Sequence, residues 1–294
     1  MSEHPIAARW RAMRGDRGTA ARAALIPYLT AGFPTPARSL EALRAVEAAG
    51  ADLVEVGVPF SDPLADGPTI QRSTQAALDQ GMTVARVLEL IRQAELRVPV
   101  IVMTYLNPVM AYGLERFLAD AAAAGASGLL LTDLPAGVDL ALEARVGASP
   151  LALIRLIAPT TTAARLARAV QDARGFLYVI SRLGVTGVRD QVPLDLADQV
   201  ARVRAASALP LAIGFGIATP AQARAAARLA DGVVVGSALV EALGAGGLGA
   251  MERLMRDLAG AMRGGEGEGE GEGNGAPPRG DRGRGKAQGN GAAT

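Results

Sequence analysis

The stretch Leu53 to Gln71, LVEVGVPFSDPLADGPTIQ, sets one glutamate in an apolar run and then passes into a loop dense in aspartate, proline and glycine. Alternation along a strand puts Leu53, Glu55 and Gly57 on one face and Val54, Val56 and Val58 on the other. The valines suit a helix layer, so Glu55 points into whatever cavity the strand lines. A carboxylate there loses solvation, and its pKa rises toward the range useful for proton transfer near neutrality. A glutamate neutralised by a structural arginine is the competing reading. Asp66, between Ala65 and Gly67, lies on the loop, where its carboxylate could close over a ligand as the loop orders. Asp62 and Asp66 also suit helix caps or turns in their SDP and ADG contexts.

Other catalytic equipment is sparse. The chain has no cysteine, its only histidine is His4 and its only lysine is Lys286, so no metal site is expected. Carboxylates and backbone amides must do the chemistry. A second signal comes from glycines: Gly187 in GVTG, Gly214 and Gly216 in GFG, and Gly236 followed by Ser237. Bare amides converging there, with a helix starting near Ser237, would bind a phosphate dianion without any lysine. Each glycine taken singly also suits a tight turn.

These groups need a frame that brings them to one place. Eight β-rich runs recur: Leu25 to Thr30, Asp52 to Gly57, Val100 to Tyr105, Gly128 to Asp133, Leu151 to Ala158, Phe176 to Ser181, Leu211 to Gly216 and Gly232 to Ser237. Helical spacing between them predicts Pro36 to Ala49, Thr83 to Leu96, Leu114 to Ala124, Val138 to Val146, Thr162 to Asp172, Leu194 to Ala206 and Pro220 to Leu229. A last helix from about Ala238 to Met262 is interrupted between Gly244 and Gly249. Strands apolar on both faces, each followed by a helix, predict a single (β/α)8 TIM barrel, with its working groups at the C-terminal strand ends. A doubly wound open sheet is the alternative. It would more often carry a Gly-rich phosphate turn after the first strand, where this chain has TAGFPTP.

Composition narrows the function further. Thirty Lys+Arg against 29 Asp+Glu, with 3% aromatic residues, offer no basic and aromatic surface for nucleic acid. No leader pattern opens the chain and no apolar run approaches the roughly 18 residues needed to cross a bilayer, so a cytoplasmic protein without a membrane partner is expected. The barrel is expected over residues 1–263. From Gly264 the composition turns to GGEGEGEGEGNG and similar sequence, read as a disordered tail over 264–294.

Over roughly residues 5 to 262 the chain resembles the alpha subunit of tryptophan synthase. The motifs, in order, are PYLTAGFP at 27–34, VEVGVPFSDPLADGPTIQ at 54–71, MTYLNPV at 103–109, TDLP at 132–135, APTT at 158–161, SRLGVTG at 181–187, GFGI at 214–217 and GSALV at 236–240. The resemblance implies retro-aldol cleavage of indole-3-glycerol phosphate to indole and glyceraldehyde 3-phosphate, as a lyase of L-tryptophan biosynthesis. It also implies an alpha2beta2 heterotetramer, in which pyridoxal phosphate belongs to the beta subunit and no cofactor to this chain. A retro-aldol step usually uses a lysine Schiff base or a metal as electron sink; the indole ring, protonated at C3, can serve instead.

Carried onto this sequence, the resemblance makes Glu55 the acid-base group and Asp66 the acceptor for the indole N–H. Thr186 would engage Asp66 as its loop closes. Tyr28, Met103 and Tyr105 would line the indole pocket, Tyr178 would be an aromatic near the substrate, and Gly187, Gly216, Gly236 and Ser237 would hold the phosphate. Asp62 would reach the beta subunit by a salt bridge. Arg155, Leu183 and the link around Ala230 depart from the family pattern, and Arg155 puts a charge inside a strand. A free-standing lyase on the same scaffold and a catalytically idle regulatory barrel are the other readings.

Overall fold

The computed structural model describes residues 3–13, 22–181, 195–214 and 216–263. The first half of the chain runs α1 (Pro5–Met13), β1 (Ala24–Thr30), α2 (Pro36–Ala48), β2 (Val54–Gly57), α3 (Pro68–Asp79), α4 (Val84–Ala94), β3 (Val100–Thr104), α5 (Leu106–Tyr112), α6 (Leu114–Ala123) and β4 (Ala126–Leu131). The second half runs α7 (Leu140–Ala148), β5 (Ala152–Ile157), α8 (Ala163–Asp172), β6 (Leu177–Ile180), α9 (Leu196–Ala206), β7 (Leu211–Gly214), α10 (Pro220–Ala227), β8 (Gly232–Val235) and α11 (Ser237–Arg263). All neighbouring strands pair in parallel, in sequence order, and β8 returns to β1 to close the expected barrel.

Strand alternation sorts the side chains into two apolar sets. Val54, Val56, Val102, Leu129 and Leu153 face the helices, whereas Ile26, Tyr28, Ile101, Met103, Ile154 and Tyr178 fill the barrel. Threonines at positions 35, 83, 162 and 219 cap α2, α4, α8 and α10, accepting from backbone amides of the first turn and ending each loop at a defined residue. Asp139 does the same for α7, which therefore starts at Leu140 rather than at the expected Val138.

Three helices were not expected from the sequence. α3 and α5 split the connections after β2 and β3. α1 sits at the N-terminal end of the barrel, with Ile6, Trp10 and Met13 on its buried face. Trp10 meets Phe176 edge-on at 5.8 Å, and Ile6 reaches Gly128 and Gly175. The last helix is broken where expected, by Gly247 at φ 68.

At that same end Asp52 lies outside β2, contrary to the expected Asp52 to Gly57 strand. Its carboxylate, 0% exposed, accepts from Arg9, from both arms of Arg22 at 2.6 Å and from Leu25 N at 3.0 Å. Burial alone would raise its pKa, but the Arg22 and Leu25 hydrogen bonds together with both arginine charges hold it below the ordinary value. Asp52→Ala should lower unfolding stability by about 2–3 kcal/mol, less than a fully buried pair because both arginines are about a third exposed. Urea unfolding with a loss below about 0.5 kcal/mol would contradict this role.

Candidate active site

Glu55 occupies the barrel mouth because β2 alternates. Its neighbours Val54 and Val56 pack outward, and Glu55 itself is 1% exposed. Among the described residues no ion pair reaches it, and its Oε1 is buried without a hydrogen-bond partner. The structural-arginine reading is thereby excluded for those residues. Burial, with a further push from the Asp66 charge, raises the Glu55 pKa from 4.5 to about 8. The group holds its proton near neutrality.

Asp66 stands on the connection from β2 to α3. It does not cap α3: the N-cap is Gly67, with no side-chain hydrogen bond. Instead Asp66 Oδ2 accepts from Tyr105 Oη at 3.0 Å, and the same hydroxyl accepts from Ala65 N at 3.0 Å. Gln71 Nε2 donates to Asp66 O at 2.9 Å, tying the loop to the helix that follows. Burial raises the Asp66 pKa from 3.8 to about 6, against the opposing pull of the Tyr105 hydrogen bond. Two carboxyl groups in one mouth therefore take different protonation states near pH 7.

Tyr28 and Tyr178 complete the wall. Tyr28 pairs in register with Glu55, and a Cβ built on Gly57 would overlap its hydroxyl; a Cβ on Gly214 would overlap the Tyr178 hydroxyl in the same way. Only glycine at 57 and 214 lets the two phenol rings lie across the neighbouring strands. Burial first, and carboxylate charge second, push the Tyr28, Tyr105 and Tyr178 hydroxyls above the usual tyrosine range. All three hydroxyls stay protonated beside Glu55 and Asp66, and Tyr105 donates to Asp66.

On the β8 side of Tyr28 lies the corner expected from sequence to take an anion. A Cβ on Gly236 would stand 3.3 Å from the Tyr28 ring, and α11 starts at the exposed Ser237, one residue on. The amides of Leu239 and Val240 bond back to Gly236 O, so within the first turn it is the amides of Ser237 and Ala238 that a helix N-terminus would offer to an anion. Gly216, at φ 83, follows β7 on the same end of the barrel.

The structure thus brings Glu55, Asp66, Tyr28, Tyr105 and Tyr178 together, with Met103 buried among the barrel-filling side chains. Thr186 and Gly187, with Leu183, lie outside the described residues. Asp62 is exposed on the β2 loop, its carboxylate bound by Ser61 at 2.6 Å. Sequence reasoning missed the hydroxyl chain behind Tyr28, in which Thr30 Oγ1 and Ser73 Oγ are 2.7 Å apart and Ser73 donates to Ile70 O. It also gave Tyr105 only a lining role, although the hydroxyl holds Asp66. Gly57 carried a readable signal: a glycine two places beyond a carboxylate, on the same strand face, marks a close approach.

A family model described as tryptophan synthase alpha chain matches residues 16–261. The chain belongs to the tryptophan synthase alpha chain family. It is 48% identical over 230 residues to the alpha chain of Nitratidesulfovibrio vulgaris strain DP4, covering 78% of this chain and 90% of that one. With the alpha chain of Gluconacetobacter diazotrophicus it shares 50% over 242 residues, covering 81% and 86%. Among solved structures, Mycobacterium tuberculosis tryptophan synthase superposes with a TM-score of 0.81 at 41% identity, covering 90% of this chain and 100% of that one. Tryptophan synthase alpha chains are enzymes that partner a beta subunit, and the pyridoxal phosphate belongs to that subunit.

Two titrations check the site. Between pH 4.5 and about 8 the folded chain keeps the Glu55 proton that the unfolded chain has released, so this group makes stability fall as pH rises through that window. Urea unfolding of Glu55→Gln should show a flatter profile there; an unchanged slope would contradict burial of an ionisable group. In Tyr105→Phe the carboxylate loses its donor, and a carbon-13 NMR titration should put the Asp66 midpoint above that of the wild-type chain.

Proposed function

We propose that the chain cleaves indole-3-glycerol phosphate to indole and glyceraldehyde 3-phosphate by a retro-aldol reaction, as the alpha component of tryptophan synthase in L-tryptophan formation. The observation that carries this reading is Glu55: buried, unpaired at Oε1, protonated near neutrality, and set across Tyr28 from a helix N-terminus.

The substrate phosphate sits at the start of α11, near Gly236, Ser237 and Gly216, which puts the indole end toward Glu55 and Asp66. The Glu55 carboxyl gives its proton to indole C3, leaving an indoleninium-like ring that can take an electron pair. The resulting Glu55 carboxylate removes the proton from the glycerol hydroxyl next to C3. The bond from C3 to the glycerol carbon then breaks, its electrons restore the indole, and the hydroxyl-bearing carbon becomes the aldehyde. One proton enters and one leaves, so Glu55 ends as it began. Asp66, held ionised in part by Tyr105, accepts from the indole N–H and offsets the positive charge that develops on the ring. Thr186 and Gly187 belong to this reading as the loop threonine facing Asp66 and a further phosphate amide.

The partner reading draws support from the surface. Among the described residues the exposed large hydrophobics are Leu64, Met110, Val138 and Leu140, with Leu64 94% and Val138 70% exposed. All four lie on the segments that follow β2, β3 and β4. Hydrogen bonds from Tyr105 to the Asp66 loop and from Leu106 N to Asp133 Oδ1, 2.7 Å, tie these three connections together. Exposed apolar side chains on three linked connections at one end of the barrel, with an exposed Asp62 among them, fit a protein partner, here the beta subunit in an alpha2beta2 assembly.

Glu55→Gln and Asp66→Asn should each lower indole formation by about 10² to 10⁴ while phosphate-ligand binding stays near wild type. Retained turnover in Glu55→Gln would refute the acid-base assignment. Adding the beta subunit should raise turnover of the wild-type chain; indifference in both association and rate would instead support a free-standing lyase.

A further inference from the structure

Arg155 is a charge inside a barrel strand, and the structure gives it a local purpose. On β5 it shares the outward face with Leu153 and Ile157, within the helix layer. Its Nη2 donates to Glu143 Oε2 on α7 at 2.6 Å and its Nη1 to Leu134 O at 3.2 Å. Glu143 Oε1 in turn accepts from Gly137 N at 2.8 Å. Both side chains are sealed from water, 4% and 2% exposed.

A buried ion pair is weak support for stability, because desolvating two charges offsets most of their attraction and an apolar pair of the same volume often does as well. What an apolar pair cannot do is hold backbone. Here the two charged groups grip the carbonyl of Leu134 and the amide of Gly137, the two ends of a four-residue segment on the β4 to α7 connection. Immediately beyond that segment stand Val138 and Leu140, 70% and 55% exposed, and Asp139, whose side chain caps α7.

We infer that the Arg155–Glu143 pair is a positioning device for a docking face: it clamps residues 134–137 so that Val138 and Leu140 are presented to the beta subunit. The inference rests on the partner reading above. It assigns to two buried residues on the helix side of the barrel wall, which make no hydrogen bond or ion pair to Glu55 or Asp66, control of association rather than of chemistry.

The test uses the full chain and purified beta subunit, with three readouts: thermal unfolding, amide exchange at Gly137, and association. The apolar double variant Arg155→Met/Glu143→Leu should unfold near the wild-type temperature, since the layer stays filled, yet exchange at Gly137 should quicken by about tenfold or more. Association should weaken by about tenfold or more, with indole formation by the chain alone within about twofold of wild type. Arg155→Lys keeps a charge opposite Glu143 but lacks the second arm for Leu134 O; it should fold as wild type and bind the beta subunit about threefold more weakly. Wild-type association in either folded variant, or unaltered exchange at Gly137 in the double one, would overturn the proposal. A double variant that fails to fold would overturn it too, by showing the pair to be structural. Failure of the wild-type chain itself to bind the beta subunit is a separate result: it removes the partner reading, and the docking role with it.

Discussion

Withholding water from Glu55 is the constraint from which the site follows. A closed parallel barrel leaves no edge and little solvent inside, and the strand that delivers Glu55 packs valines behind it on the helix side. Ionisation is disfavoured by that surrounding and by the neighbouring Asp66 charge, so an ordinary glutamate becomes an acid that still holds its proton near pH 7. Asp66 escapes the same fate in part, because it sits on a connection and receives a hydroxyl donor. Difference of environment, with no difference of residue chemistry beyond one methylene, separates a carboxyl that keeps its proton near neutrality from one that gives it up sooner.

Glycine makes this crowding possible. Two tyrosines share the mouth with two carboxyl groups, and each lays its phenol over a strand position with no side chain, Gly57 or Gly214. Tyr28 then touches both halves of the site, since its ring also lies against Gly236 at the anion corner. Tyr28 thus lies between the strand that carries the acid and the residue that leads into α11.

Much of this was legible before any coordinates. Period-two alternation around Glu55, the apolar strands and the alanine-rich helical stretches specify the barrel, and their order specifies which loops meet at one end. What sequence could not show has physical reasons. α1 is nine residues long and precedes the first strand, so no repeating pattern announces it; its Ile6, Trp10, Met13 spacing is helical but brief. Tyr105 reads as pocket lining because its partner Asp66 is 39 positions away and meets it only after folding. Arg155 reads as an anomaly for the same reason: its partners Glu143 and Leu134 come from a helix and a loop that precede it. Pairing between distant positions leaves no local period to detect.

The seal at the opposite end has its own meaning for traffic. Ile6, Trp10 and Met13 stopper the barrel beneath the strands, and the Asp52 cluster fastens β1 and β2 beside them. Among the described residues that end of the barrel is filled with side chains, which leaves traffic to the opposite rim, where Glu55 and Asp66 stand. A second protein resting over that rim, against Leu64, Met110, Val138 and Leu140, would stand in the path of whatever emerges there.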